Sequence, residues 1–218
     1  MIKKLTPLEK MLALSILFNM LLLAVRFYFM RELTYGFYVW NTFLAVLPLF
    51  FSRMLAKVEK CNLKAIVLIG CWLSFFPNAP YMVTDLFHYV DNPPVPQWYD
   101  LLIVVLAAWN GLLLGIVSLM QVEHFLMRHL KRTWVQVIVV ASCALCGYGV
   151  YIGRYLRYNT WDTLTNPGRL LADIARSVLR PHQHTMTWAF TILFGLMFGI
   201  VYFTLKELRE KRVSVEER

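Results

Sequence analysis

Six long apolar runs separated by short polar breaks organise the chain, at residues 8–30, 36–55, 63–77, 98–122, 133–158 and 184–206. A helix needs about 20 apolar residues to cross the ~30 Å hydrocarbon layer of a bilayer. Five runs meet that length. The third, residues 63–77, is short and spans only with help from the next stretch of chain. None of the runs alternates with period two, so they read as helices and not strands. The pattern predicts an all-α polytopic membrane bundle of about six transmembrane helices. It forms one domain over residues 1–218, with a short charged tail and a short outer amphipathic helix.

In hydrocarbon an unpaired polar group is costly, so each polar residue kept at membrane depth calls for a partner. Asn19 and Asn110 are two such residues, and hydrogen bonds across helices are expected for both. Small residues recur at intervals of four: Ala107, Gly111 and Gly115 in the fourth run, Gly149 and Gly153 in the fifth, Gly195 and Gly199 in the sixth. That spacing lets helix backbones approach closely. Pro48 should bend the second run. Cys143 and Cys146 have redox spacing but lie near mid-membrane, where packing is the expected role.

Charge fixes the expected orientation. Hydrophobic residues make up 59% of the 218 and charged residues 16%, against about 25% charged in soluble proteins. The formal charge of +9 would suggest nucleic acid for a soluble chain; in a membrane protein it follows the positive-inside rule, and no nucleic-acid partner is expected. With the amino terminus in the cytoplasm, fifteen Lys and Arg fall inside and seven outside. Both termini are then cytoplasmic. The start could mimic a signal peptide, but no clean small-x-small site ends the first run, and a retained helix is expected. Every lysine is inside, and the seven outer cations, Arg26, Arg31, Arg154, Arg157, Arg169, Arg176 and Arg180, are all arginine. Topology and chance account for this plainly. The sharper reading is an anion-binding outer face, since a guanidinium fork matches phosphate and carboxylate.

Two outer stretches hold the candidate chemistry. The first is Phe76-Pro-Asn-Ala-Pro-Tyr-Met-Val-Thr-Asp-Leu-Phe-His88. If residues 81–89 are α-helical, Tyr81, Thr84, Asp85 and His88 share a face toward a cavity, with Met82, Val83, Leu86 and Phe87 on the other. The second is Gly153-Arg-Tyr-Leu-Arg-Tyr-Asn-Thr-Trp-Asp-Thr-Leu-Thr-Asn-Pro167, where Arg154, Arg157, Tyr158 and Trp161 fit one helical face. Asp85, Asp100 or Asp162 then pairs with Arg154 or Arg157, either as structural ion pairs or as a site where the arginines hold a phosphate or carboxylate. Asn166 and Pro167 read as an N-cap and first helical residue of a helix over residues 168–180, lying on the outer surface. His182 and His184 come next. With His88 and Asp85 they have ligand chemistry for zinc but no diagnostic spacing, so no metal is assigned. The sequence does not identify a cofactor.

The runs Pro77-Asn-Ala-Pro-Tyr81, Thr84-Asp-Leu86, Trp98-Tyr-Asp-Leu-Leu102, Trp109-Asn-Gly-Leu-Leu-Leu-Gly115 and Gly153-Arg154 with Arg157-Tyr-Asn-Thr-Trp-Asp162 resemble domain-of-unknown-function family 1361, over about residues 60–205. The resemblance implies a bacterial integral protein of the cytoplasmic (inner) membrane and brings no activity with it.

The leading expectation is a membrane enzyme or binding protein for an anionic or lipid-linked head group at the outer leaflet. Asp85 and His88 are the acid–base candidates. Asn78, Tyr81, Thr84, Asp100, Arg154, Arg157, Asn159, Trp161 and Asp162 are the substrate-binding candidates. Membrane lipids are the expected partners, and a homo-oligomer is compatible with the small-residue faces. A transporter or channel, and a scaffold or assembly factor, are the alternatives.

Overall fold

Length and capping set the helices. The computed structural model describes residues 6–31, 35–89, 95–158 and 167–216. Helix α1, Pro7–Met30, starts at a capping box in which Thr6 and Glu9 satisfy each other's backbone N–H, and Pro7 takes the first helical position. It ends where Arg31 turns left-handed at φ 54°. Helix α2, Phe37–Leu55, contains Pro48 yet runs unbroken. Helix α3, Leu63–Phe75, is capped by Asn62, whose side chain accepts from the Ala65 N–H.

The third crossing then breaks. Pro77 and Pro80 lack N–H groups and cannot continue an α-helical ladder. A single turn, α4 (Asn78–Tyr81), leads into a 3-10 helix, Met82–His88. With these additions the crossing extends over Leu63–Phe87. The short third run is thus completed by the segment after it, as its length required.

Helix α5, Gln97–Met127, and helix α6, Arg132–Arg154, come next in the chain. Helix α7, Pro167–Leu179, is amphipathic, and a 3-10 turn, Pro181–Gln183, joins it to α8, Thr185–Glu216. Among the described residues six helices are long and apolar enough to cross a membrane, and no strand is present. The chain is a multi-pass, all-α membrane protein. Its outward surface carries Leu14, Leu17, Phe43, Val137, Leu193 and Ile200, as lipid-facing helices do.

Helix α5 is the hub, packing on α1, α2 and the broken crossing, while α6 pairs most extensively with α8. Successive crossings alternate in direction, and cross-helix pairs fix both ends. At the end nearest the amino terminus, Glu9 accepts from Gln121 at 3.1 Å and lies 3.6 Å from Arg53. There too, Glu123 binds Tyr202 at 2.5 Å and Lys206 at 2.6 Å. Deeper in, Ser15 donates to Asn110 at 2.6 Å and Asn19 donates to the Ile103 carbonyl at 3.1 Å. Both asparagines therefore fasten α1 to α5, as expected. Cys143 and Cys146 are buried free thiols within the α6 packing.

The small residues do more than bring long helices together. Gly147 and Gly195 do sit at the α6–α8 contact, where an added Cβ would reach 2.5 Å from the Thr191 carbonyl and 3.0 Å from that of Cys143. Gly111, Gly115 and Gly149 instead receive the break in the third crossing. A Cβ on Gly149 would meet Pro77 Cγ at 2.5 Å, one on Gly115 would meet Pro80 Cγ at 3.1 Å, and one on Gly111 would strike the Ala79 carbonyl. The Pro-Asn-Ala-Pro turn is wedged between α5 and α6 because both helices omit side chains there.

Candidate functional site

The wedge aims the 3-10 helix at the end of the bundle opposite the amino terminus. Its backbone needs help, and two of the candidate residues supply it. The Ala79 N–H turns to the Phe76 carbonyl, and the Asn78 side chain donates to the Phe75 carbonyl at 3.1 Å. The Thr84 hydroxyl donates to the Tyr81 carbonyl at 2.7 Å.

Asp85 is the centre of this end. Its carboxylate accepts from Asn41 Nδ2 at 2.9 Å on one oxygen and from Arg154 at 3.3 Å on the other. Its carbonyl accepts from the Tyr38 hydroxyl at 3.3 Å. Three crossings thus converge on one residue: α2 through Tyr38 and Asn41, the broken third through Asp85, and α6 through Arg154. The Asp85 side chain is 1% exposed, that of Arg154 14%. The guanidinium lies 6.0 Å from the Tyr81 ring centre and 5.8 Å from that of Phe87, within cation–π range. Gly153 leaves room for Tyr81, whose ring would lie 3.3 Å from a Cβ there.

Of the acid–arginine pairings the sequence left open, Asp85–Arg154 is present. Two details of the expectation change. Residues 82–88 wind as a 3-10 helix of about three residues per turn, so the i, i+4, i+7 face does not hold. Met82 is buried together with Thr84 and Asp85, while Leu86 and Phe87 are exposed. Asp85 therefore faces neighbouring helices and not an open cavity. Likewise α6 stops at Arg154, and Arg157 lies beyond it, exposed, at φ 57°. Arg154 and Arg157 do not share a helical face.

Asp100 takes a different partner from the one expected. Arg26 binds it bidentately, at 2.7 and 3.1 Å, with both side chains almost wholly buried. The guanidinium also lies 4.4 Å from the Tyr35 ring centre. This clamp ties the end of α1 to the start of α5, apart from Arg154. The backbone of His88 ends the 3-10 helix, but its side chain lies outside the described residues, as do Asn159, Trp161, Asp162 and Asn166. His182 and His184 belong to the 3-10 turn before α8 and its cap. Among the described residues no three His, Cys, Asp or Glu side chains gather with metal-ligand geometry.

Asn41, Tyr38 and Arg26 were not among the sequence candidates. Asn41 carried a usable signal: it is a polar residue inside an apolar run, like Asn19 and Asn110. Tyr38 carried none, because it lies at the end of a run where aromatic residues are ordinary, and Arg26 stood out only as one of the seven outer arginines.

A family model described as Protein of unknown function (DUF1361) matches residues 40–201. The chain belongs to this family. The match takes in Asn41, Asp85, Asp100 and Arg154 and leaves out α1. No curated protein gives a match, and neither does any solved structure. Family membership thus supports the membrane reading and the resemblance drawn from the motifs, and it assigns no reaction.

Proposed function

We propose that this end of the bundle is a binding site for an anionic or lipid-linked head group at the outer leaflet of a cytoplasmic membrane. Arg154 holds the anion. The observation that carries the reading is the convergence of three crossings on Asp85. A buried carboxylate fixed by Asn41 and Tyr38 holds the Arg154 guanidinium at the rim between two aromatic rings. Guanidinium groups recognise phosphate and carboxylate through paired N–H donors. A carboxylate behind one orients the fork toward the solvent side.

In this reading Asp85 is a positioning residue, since its burial keeps it from touching a ligand directly. His88, Arg157, Asn159, Trp161 and Asp162, which flank Asp85 and Arg154 in the sequence, are the further candidates for contact with the ligand. The charge distribution supports an orientation with this end outside and both termini in the cytoplasm. The transport alternative draws less support, because Asn19 and Asn110 are engaged in joining α1 to α5.

The test is ligand retention by the purified full chain in neutral-lipid nanodiscs, with short-chain phosphatidylglycerol and a polyprenyl phosphate as probes. Wild type should retain at least one probe, Arg154→Ala should lose it, and Arg154→Lys should keep part of it. Equal retention by wild type and Arg154→Ala would remove the proposal. Identical lipid and envelope-polymer profiles in cells with and without the protein would weigh in the same direction.

A further inference from the structure

A second feature of the same end is independent of the Asp85 site. Helix α7 is seated on the bundle along one edge only. Ser177, which is buried, supplies the anchor: its hydroxyl pairs with Tyr148 at 2.6 Å and its carbonyl accepts from the Trp188 indole at 2.9 Å. Asp173 accepts from the Tyr158 hydroxyl at 2.6 Å. Two other edges face away from the bundle, one of them touching Tyr158 only through Arg169, whose guanidinium lies 6.0 Å from that ring centre. At 100° per residue, Arg169, Arg176 and Arg180, the last just past the helix end and kept in line by its N–H to the Arg176 carbonyl at 2.9 Å, fall within about 40° of one another and form a cationic strip. All three are exposed. On the far side Leu171 and Val178 are 64% and 54% exposed, and Leu179, 79% exposed, lies between them and the strip.

Water and apolar side chains exposed to that degree are a poor match, whereas a membrane boundary suits both edges at once. Helix α7 lies where that boundary must be, between the end of α6 at Arg154 and the start of α8 at Thr185. Both of those helices cross the membrane. An amphipathic helix there sinks its apolar edge among acyl chains and leaves its basic edge among head groups. Arginine is the side chain suited to bind phosphate bidentately. The single acid among the arginines, Asp173, accepts from Tyr158 and pairs with Arg176 at 3.2 Å, so it offsets one of the three charges and leaves Arg169 and Arg180 to carry the net positive charge of the strip.

We propose that α7 is a lipid-reading helix that binds the phosphates of anionic phospholipids through Arg169, Arg176 and Arg180, with Leu171, Val178 and Leu179 inserted below. The ligand is the lipid head group within the leaflet and not free phosphate.

Hydrogen exchange of the segment 167–180 in the full chain tests this locally. The protein is placed in nanodiscs of zwitterionic phospholipid, of the same lipid with one third phosphatidylglycerol, and of zwitterionic lipid with inorganic phosphate added. Exchange in the segment should slow roughly 30-fold or more with the anionic lipid, as two or three arginine–surface contacts would cause, and should not slow with phosphate alone. Arg169→Gln/Arg180→Gln leaves the Arg176–Asp173 pair intact and should lose most of the slowing. The corresponding double lysine variant should keep most of it. Equal exchange of wild type in the two lipids overturns the proposal. So does a glutamine double variant that responds like wild type, and protection by phosphate alone reassigns the strip to a free anion. Because the readout is confined to α7, it is separate from probe retention at Arg154.

Discussion

Asp100 and Arg26 show how the membrane raises the stakes of one ion pair. Two buried charges with bidentate geometry contribute little net stability compared with an apolar pair, but removing one partner strands the other. Asp100→Ala should therefore destabilise the protein by about 3–5 kcal/mol. The double variant Arg26→Met/Asp100→Leu should recover most of that loss. Unfolding of the purified protein in detergent measures both, and a double variant worse than Asp100→Ala would contradict the account. Outside the membrane-crossing segments, the hydrogen bond to Asp173, with some help from burial, raises the Tyr158 phenol above its ordinary value. Tyr158 thus remains a protonated donor through neutral and mildly alkaline pH. Tyr158→Phe should speed hydrogen exchange in α7 without changing that of α5. The types of residue at this end were legible in the sequence, and Asp85 with Arg154 was one of the pairings it allowed. Partner choice was not fully legible. Three acids and several arginines lay at one end, and only the packing of α1 on α5 selects Arg26 for Asp100.

Among the elements, the broken third crossing carries the most structural information. Its wedge depends on missing side chains in α5 and α6, so adding a methyl group there is a sharp probe. Gly149→Ala places a Cβ against the Pro77 ring, and Gly111→Ala places one against the Ala79 carbonyl. Each should cost about 1–3 kcal/mol through overpacking. Gly70, within the α3 part of the same crossing, meets nothing within 4 Å of an added Cβ. Gly70→Ala should leave stability unchanged or raise it by up to about 1 kcal/mol, as removal of a helix-interior glycine does. Thermal unfolding of the three variants side by side decides the matter. Sequence spacing pointed to Gly111 and Gly149, yet it assigned them to contacts between long helices. Intervals of four do mark a smooth helical surface, but they do not say whether another helix or a proline turn lies upon it. The 3-10 winding of residues 82–88 was similarly hidden, because a polar pattern seven residues long fits more than one helical period.

For the whole molecule, six crossings and alternating direction follow from run lengths, and the structure adds which crossings touch. The proposed orientation predicts that Cys61, exposed between α2 and α3, reacts with a membrane-impermeant maleimide only from the cytoplasmic side. Buried Cys143 and Cys146 should stay unlabelled until the protein is unfolded. Mass spectrometry of labelled spheroplasts and inverted vesicles distinguishes these outcomes, and labelling of Cys61 from outside would reverse the topology. Apolar length and lysine placement made the bundle and its expected sidedness readable. The hub position of α5 was not, since nothing in an apolar run names its neighbours.

The Pro77–Pro80 turn has a consequence for how the chain is made. It emerges from the ribosome before either of the two helices that wall it in. Until those later passes arrive, the third crossing is an unfinished one, with proline-freed carbonyls and a carboxylate lacking its arginine. Biogenesis must shelter that half-built segment until the end of the fifth pass has been synthesised, so truncation after the fourth pass should leave a chain that the cell's membrane proteases destroy.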